Sequence, residues 1–378
     1  MMWKAPWAIS LRQRLSMLKA DTHRVAYFAP GPDSGSFRYR CYNAAQAINA
    51  SGAGVSAAYF FQTELDHLDN LSDFADTLVV FRAPYDTEIE RLIGKFRQSG
   101  KKIFFDIDDL IFDNQFTALV ASNLNYKPVG KDVGSWSSLI ANVGSCLNLC
   151  DAVITTNDFL ARRIHDFSEL PVSVIPNFVN KEQISVSEAL LADRKKRPPG
   201  PGLRLGYFSG SHSHAKDFEV AKSGILAFMK SSPNSTLTIL GHLELSPELE
   251  SLGTRLIQKP FVNFLSLQGE ISQVDVNLVP LQLSPFTFSK SELKFFEAAL
   301  VGTITLATPT PVYEKAITDG VNGFLSGAAQ WRRKLAEIEE LPEDKHRLIA
   351  SRAFDTAMKN FSWEAMNPKL TALFLDAN

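Results

Sequence analysis

Lys294 and Glu297 are spaced so that both can contact a phosphorylated ligand from one face of a helix. They lie three residues apart in SKSELKFFEAALVG, and residues with this spacing are neighbours on a helix surface. Ser291 can cap the start of this helix, where free N–H groups and the positive end of the helix dipole favour an anion. We expect Lys294 to contact a diphosphate and Glu297 to accept hydrogen bonds from a ribose diol, with Lys290 and Thr310 as further ligand-binding residues. An exposed Lys–Glu pair on an amphipathic helix is the alternative.

A second candidate anion site is the loop GYFSGSHSHAKD, which follows a strand-like run. Gly210 gives its backbone the freedom to approach a ligand closely. The loop would present Gly210, Ser211 and the cation of Lys216 to a departing diphosphate, whose growing negative charge is stabilised by fixed cations. His212 and His214 offer an alternative H-x-H metal pair, although no clear third ligand accompanies them.

A third candidate site is the glycine- and serine-rich loop GPDSGSFRYR, which follows the first strand-like run. A loop of this kind can pass close to a ligand through Gly35 and Ser36, and Arg38 and Arg40 could hold a phosphate. It lacks the G-x-G-x-x-G pattern, so dinucleotide binding is not favoured. A turn followed by a solvated helix start is the alternative.

Four aspartates crowd the end of the strand-like segment FFDIDDLIFD. Like charges this close must pair, bind a metal or shift their pKa values. Asp106 and Asp108 have the D-x-D spacing of haloacid-dehalogenase-type phosphatases, and GT-A glycosyltransferases use the same spacing to bind metal. In a third interpretation Asp106, Asp108 or Asp109 orients an acceptor hydroxyl or takes its proton. Capping of the next helix by Asp109 is the structural alternative. The four carboxylates are Asp106, Asp108, Asp109 and Asp113.

The elements that must position these residues alternate between strand and helix patterns. Short runs such as RVAYFA and TLVVFR are typical of buried parallel strands, and their alternation with helical runs predicts doubly wound α/β sheets. RKKRPPGPG interrupts the pattern, which restarts at LRLGYF. We therefore predict two Rossmann-like domains that face each other across a ligand-binding cleft. The predicted segments are an N-terminal segment 1–20, a first domain 21–180, a linker 181–202, a second domain 203–360 and a C-terminal helix 361–378 that returns to the first domain.

Composition excludes several classes of protein. The 378 residues are 45% hydrophobic and 21% charged, which is ordinary for a globular chain of about two domains. The net charge of −2 does not favour a protein that coats nucleic acid, and three cysteines fit a reducing compartment. No apolar run reaches the ~20 residues that span a bilayer. Residues 1–20 carry basic side chains with Trp7, Leu11, Leu15 and Leu18 at helical spacing, which predicts either a helix on its own domain or one on an anionic membrane surface.

The segment around Glu297 resembles the C-terminal domain signature of GT-B glycosyltransferases, specifically the retaining family 4. That family carries an acid in an FEAA-x-G context followed by a DG-x-NG turn, and the resemblance implies that Glu297 binds the donor ribose. Ser289 stands where the family has an earlier glutamate, and Ser211 where it has an arginine, whose charge Lys294 or Lys290 would supply. KSELK-x-x-E and DIDDL-x-F resemble a bacterial surface-polysaccharide subgroup. The matching residues are Phe296, Glu297, Ala298, Ala299, Gly302, Asp319, Gly320, Asn322 and Gly323.

The resemblance implies an enzyme that transfers a sugar from a nucleotide-sugar to a hydroxyl of a glycan or a polyprenyl-diphosphate-linked glycan. It implies retention of anomeric configuration, no metal or other cofactor, and a cytoplasmic location, with possible contact to the inner membrane leaflet. Lys216, Lys294 and Glu297 would carry the catalytic roles, and the third loop and the aspartates would face the acceptor. Two alternatives remain open: a magnesium-dependent phosphatase built on Asp106 and Asp108, and a catalytically inactive glycosyltransferase-like binding subunit.

Overall fold

Two parallel sheets, each with six strands in the described part of the chain, form the framework of the protein. The computed structural model describes residues 3–32, 35–123, 133–197, 200–210 and 215–376. The strands of the first sheet are β1 (His23–Ala29), β2 (Val55–Phe61), β3 (Thr77–Phe81), β4 (Lys102–Asp106), β5 (Ala152–Thr155) and β6 (Val172–Val174). Those of the second are β7 (Arg204–Ser209), β8 (Thr236–Gly241), β9 (Leu256–Lys259), β10 (Val276–Val279), β11 (Ile304–Ala307) and β12 (Phe324–Leu325).

The strand order confirms the predicted doubly wound architecture. The sheets run β2-β1-β3-β4-β5-β6 and β12-β11-β10-β7-β8-β9, so the direction of winding reverses beside β1 and beside β7. Both faces of the first sheet are covered: Val25 and Tyr27 pack into one core, and Ala26 and Phe28 into the other. Burial on both faces explains why the centre of β1, from Val25 to Ala29, is apolar without alternation. Ligands of such sheets bind beyond the carboxyl ends of the strands at the reversal.

Side-chain caps start several of the helices that wind between the strands. Asp86, Asn157 and Asn180 each accept a hydrogen bond from a backbone N–H three residues on. Shorter turns cover Arg38–Tyr42 (π-helical), and Gln62–His67, Asn114–Phe116, Gly253–Arg255 and Ala328–Gln330 (3₁₀). The helices are α1 (Leu11–Leu18), α2 (Gly35–Phe37), α3 (Asn43–Asn49), α4 (Leu71–Phe74), α5 (Thr87–Gln98), α6 (Thr117–Asn123), α7 (Val133–Asn148), α8 (Asp158–Ser168), α9 (Lys181–Lys195), α10 (Ala215–Ser231), α11 (Pro247–Glu250), α12 (Phe264–Ser272), α13 (Pro285–Phe288), α14 (Leu293–Leu300), α15 (Pro311–Ala316), α16 (Trp331–Glu339), α17 (Glu343–Phe361) and α18 (Trp363–Leu375).

The helix of the basic N-terminal segment packs on the first domain. In α1, Leu11, Leu15 and Leu18 all pack against the core under the first sheet. Arg14 is buried, and its Nη1 donates a 2.8 Å hydrogen bond to Glu64 Oε2. The apolar face that could have met a membrane is therefore covered by protein. Within the described residues, no helix has the length and apolar character needed to cross a bilayer.

Two segments connect the domains. Most of the predicted linker 181–202 is the helix α9, which is capped by Asn180 and ends ahead of the proline pair in the sequence. α9 packs on α12, where Gln268 Nε2 donates a 2.8 Å hydrogen bond to Ser187 Oγ. At the other end of the chain, α18 packs on the first domain through Met366, Leu370 and Phe374. The chain therefore leaves residue 180 as a capped helix.

Candidate functional site

A cavity of about 670 Å³ lies between the carboxyl ends of the two sheets. Its walls come from segments that follow β1, β4 and β6 in the first domain and β7, β9 and β10 in the second. Parallel strands bring such segments to one edge of each sheet, and here the two edges face each other. Gly35 and Gly210 contribute backbone to the lining, and the lining residues with polar side chains include Ser36, Arg38, Tyr39, Asp108, Asp109, Asn177, Ser209, Asn263, Asn277, Lys290, Ser291, Lys294, Glu297 and Tyr313.

Glu297 lies on α14 and is held from the opposite side of the cleft. Its side chain is buried, and its Oε1 accepts hydrogen bonds from the Tyr39 hydroxyl, from Arg38 Nη2 at 3.4 Å and from Gln183 Nε2 at 3.3 Å. No donor among the described residues reaches the other carboxylate oxygen, Oε2. One oxygen of the carboxylate is therefore fixed by protein, and the second is available to a ligand.

Lys294 lies one helical turn before Glu297 and lines the same cavity. Its Nζ is 5.3 Å from the centroid of the Tyr207 ring and makes no hydrogen bond or ion pair with any residue that the structure describes. Burial lowers the pKa of Lys294 to about 8, and the nearby charges of Asp217 and Glu297 oppose this shift. A partly buried ammonium without a protein partner can direct its charge to an anionic ligand.

Two further buried donors in the cavity wall lack a partner. Arg38 Nη1 and Ser291 Oγ are both buried without a hydrogen bond, and a buried polar group left unpaired costs ~1–3 kcal/mol. The Arg38 guanidinium is held by the rings of Tyr39 and Phe264, at 4.1 and 4.5 Å from their centroids. Ser291 does not cap α14 as predicted, because this helix begins at Leu293. Its hydroxyl is instead part of the cavity wall.

Arg82 organises the predicted acceptor side of the cleft. Its Nη1 lies 3.0 Å from Ser36 Oγ, 2.8 Å from Asp108 Oδ1 and 3.2 Å from Asp109 Oδ2. Asp109 also forms an ion pair with Lys290, which reaches across from the second domain. Arg82 has φ 46, a left-handed conformation that costs a non-glycine residue energy and is typical of functional sites. The carboxylates on this side are thus already paired with cations.

Arg40 and Asp106 bind each other outside the cavity lining. They form a buried bidentate ion pair, with Nε to Oδ1 at 2.7 Å and Nη2 to Oδ2 at 3.0 Å, and neither lines the cavity. Arg40 Nη1 also donates a 2.6 Å hydrogen bond to Ile175 O. Burial raises the pKa of Asp106 to about 6, against the effect of Arg40. Both Asp106 oxygens are occupied, so the pair connects the end of β4 to the segments that follow β1 and β6. The acceptor-side role of Arg40 and Asp106 stays a prediction.

The loop after β7 enters the cavity through Gly210. Lys216, at the start of α10, is exposed, and its Nζ donates a 2.6 Å hydrogen bond to Ser122 O in the first domain. It lies outside the cavity lining, and so does Thr310, a buried residue whose Oγ1 has no partner. Ser211, His212 and His214 lie outside the described residues.

Sequence reasoning missed three residues of this site. Arg82 ends the run TLVVFR. A charged side chain at the end of a buried strand is the signal that indicated the aspartates after β4, and it applies equally to Arg82. Tyr39 lies between Arg38 and Arg40, which the sequence indicates as phosphate-binding candidates, but nothing in the sequence indicates a role for its hydroxyl. Gln183 carries no sequence signal, because it reaches Glu297 only through the packing of α9 beside α14. Within the described residues, no group of three His, Cys, Asp or Glu side chains is placed to hold a metal ion.

Solved structures share this architecture along nearly the whole chain. HepE from Anabaena in complex with UDP and glucose is 14% identical over 94% of this chain and 100% of its own, with a TM-score of 0.61. The chain has the GT-B fold. Sucrose-phosphate synthase from Thermosynechococcus elongatus is 15% identical over 93% of this chain and 98% of its own, with a TM-score of 0.63. A glycosyltransferase from Rickettsia africae is 12% identical over 94% of this chain and 98% of its own, with a TM-score of 0.62. No protein-family model and no curated protein matches the sequence.

Proposed function

We propose that this protein is a glycosyltransferase that binds a nucleotide-sugar in the cavity between its two domains. The observation that carries the proposal is the set of unpaired groups there. The Lys294 ammonium, Ser291 Oγ and the second oxygen of Glu297 would face the donor, and Arg38 Nη1 would face the acceptor. Cationic and neutral donors suit phosphate oxygens, and a carboxylate oxygen suits a sugar hydroxyl. HepE, which has the same fold, binds UDP and glucose, and this supports the proposal.

The proposed roles follow from these positions. Lys294 neutralises the diphosphate of the donor, and the backbone at Gly210 approaches the same group. Glu297 binds the ribose through Oε2, while its Oε1 stays on Tyr39. We also propose that Ser211, Lys290 and Thr310 bind the donor. Lys216 would join the diphosphate only after leaving Ser122. On the opposite wall, the acceptor would meet Gly35, Ser36, Arg38, Asp108 and Asp109.

The finer activity is inferred from the resemblance of the sequence to retaining family 4. On this basis the sugar passes to a hydroxyl of a glycan or lipid-linked glycan with retention, without a metal ion, in bacterial cell-surface polysaccharide synthesis at the cytoplasmic face of the membrane. No side chain forms a covalent bond to the sugar, and the phosphate oxygen of the donor takes the acceptor proton. Lys294 then stabilises the charge that develops on the leaving diphosphate, and a fixed cation in this position lowers the barrier to departure.

The test measures release of nucleoside diphosphate from UDP- and GDP-sugars in the presence of acceptor alcohols. Lys294→Met should lower the rate about a hundredfold, as loss of one charge-stabilising group does elsewhere, and Glu297→Gln should raise the KM for the donor. Lys196→Met is the matched control, because Lys196 is exposed outside the cavity. Equal rates in Lys294→Met and Lys196→Met would contradict the proposal. Nucleotide binding without turnover of any donor would indicate a binding subunit, and nuclear magnetic resonance of the product anomer tests retention.

A further inference from the structure

Two exposed aromatic side chains border the cavity. Among the described residues, the exposed large apolar side chains include Trp3, which is 45% exposed, and Phe261, which is 60% exposed. Both line the same cavity, although Trp3 belongs to the N-terminal segment and Phe261 follows β9 in the second domain. Aromatic rings that border a cavity offer a flat apolar surface on which a ligand ring can stack.

The N-terminal segment is held in place across the domain boundary. Tyr59 OH in the first domain donates a 3.1 Å hydrogen bond to Trp7 O, and the Trp7 ring lies 5.4 Å from that of Tyr42. The same indole stacks on Phe264 of the second domain, with centroids 5.7 Å apart and an interplanar angle of 22°. Trp3 then meets the edge of Phe264 at 5.8 Å. The position of Trp3 beside the cavity is therefore set by contacts on both domains.

The rings of Trp3 and Phe264 lie close to Glu297, the proposed ribose-binding residue. The Arg38 guanidinium contacts Glu297 at 3.4 Å and lies 4.5 Å from the Phe264 ring centroid. The Arg38 guanidinium thus lies between the Glu297 carboxylate, which would bind the ribose, and the rings of Phe264 and Trp3. In a nucleotide, the base is bonded to the ribose at the carbon remote from the diphosphate. A ribose on Glu297 with its diphosphate on Lys294 leaves the base on the aromatic side.

We propose that Trp3 and Phe261 stack against the base of the donor nucleotide, so that the N-terminal segment completes the donor site. This inference rests on the proposed function and assigns the base end of the ligand. Stacking on aromatic rings tolerates any base because every base has a π-face. Choice among bases must then come from polar groups at the base edge.

The experiment compares the binding of UDP and of inorganic pyrophosphate by titration calorimetry. GDP is tested in parallel, because stacking does not name the base. Trp3→Ala should weaken the tighter nucleoside diphosphate about tenfold, within the range that loss of one base–aromatic stack produces. Its affinity for pyrophosphate should not change. Trp3→Phe should retain most of the nucleotide affinity, because a ring remains. Leu348→Ala is the control, since Leu348 is 48% exposed and lies outside the cavity.

Tryptophan emission gives a readout that a purely structural role would not move. A stacked base should quench the indole of Trp3, and that quenching should be lost in Trp3→Phe. Unchanged nucleotide affinity in Trp3→Ala would overturn the inference. An equal loss for pyrophosphate would overturn it too, because the segment would then only close the cleft. If the wild-type protein bound no nucleoside diphosphate, the proposed function would fail, and this inference with it.

Discussion

Raising the pH above about 8 should weaken the binding of a nucleoside diphosphate, because the charge of Lys294 is lost there. Burial lowers the pKa of this lysine from the usual 10.5 to about 8. The difference means that the folded protein destabilises the ammonium, relative to the neutral amine, by about 3 kcal/mol more than water does. A diphosphate has the opposite effect, because it favours the ammonium and raises the pKa of the bound state. Binding above pH 8 must therefore take up a proton, and affinity should fall by up to about tenfold per pH unit.

The same lysine has the reverse effect on stability. Its pKa is lower in the folded than in the unfolded chain, so the unfolded chain binds more protons between about pH 8 and the unfolded value of 10.5. The free energy of unfolding contributed by Lys294 should rise with pH across this window. Ligand affinity and intrinsic stability at this residue thus change in opposite directions, which separates loss of charge from general unfolding at high pH.

Titration calorimetry between about pH 7.5 and pH 9, in buffers of different ionisation enthalpy, measures both affinity and proton uptake. Burial raises the pKa values of the neighbouring Tyr207 and Tyr313 away from this window. Glu292, with a pKa of about 7, completes its ionisation at the lower end of the window, and the same ionisation occurs in a Lys294→Arg variant. Lys294→Arg keeps its charge throughout and should show a flat profile, which also corrects for ionisation of the ligand. The reasoning is refuted if wild-type affinity is constant across the window or if the arginine variant shows the same fall.

Three further substitutions test buried contacts in and around the site. Tyr39→Phe removes a donor from the buried Glu297 carboxylate and should lower the free energy of unfolding in urea by about 1–3 kcal/mol; no change would show that this hydrogen bond is not stabilising. Asp106→Asn leaves Arg40 without its charge partner and should cost about 3–5 kcal/mol in the same assay, and a wild-type value would contradict the structural role. Gly241→Ala places a methyl group 2.0 Å from a backbone carbonyl oxygen at φ 92, so calorimetry should show a lower Tm, by the equivalent of about 2 kcal/mol or more; an unchanged Tm is the contrary result.

The fold could be predicted from the sequence because strands and helices leave regular patterns of apolar residues. The runs RVAYFA and TLVVFR contain VAYFA and LVVF, which are apolar without alternation, a pattern typical of strands that are covered on both faces. The strand ends then indicate where a ligand binds. Lys294 and Glu297 could be predicted together because helical spacing fixes their relation. Each of these inferences depends on neighbours within one element.

Contacts between distant elements were not predictable in the same way. Arg40 and Asp106 are 66 residues apart in the chain, and no local pattern indicates that they meet and neutralise each other. The apolar stripe of the N-terminal helix shows that one face needs cover, but it does not identify the covering surface. The aromatic rings of that segment meet Phe264 in the second domain. Such pairings arise from tertiary packing, which a single sequence does not display.

The melting temperature in the presence of nucleoside diphosphates tests the central claim most directly. UDP, GDP, ADP and CDP should each be added in excess to the wild-type protein and to Glu297→Ala, with and without EDTA. A ligand at about a hundredfold over its Kd stabilises by about 2.7 kcal/mol. We expect at least one nucleotide to raise the melting temperature of the wild-type protein, without sensitivity to EDTA, and to lose this effect in Glu297→Ala. No change with any nucleotide, or an equal rise in the variant, would contradict a donor site built on Glu297.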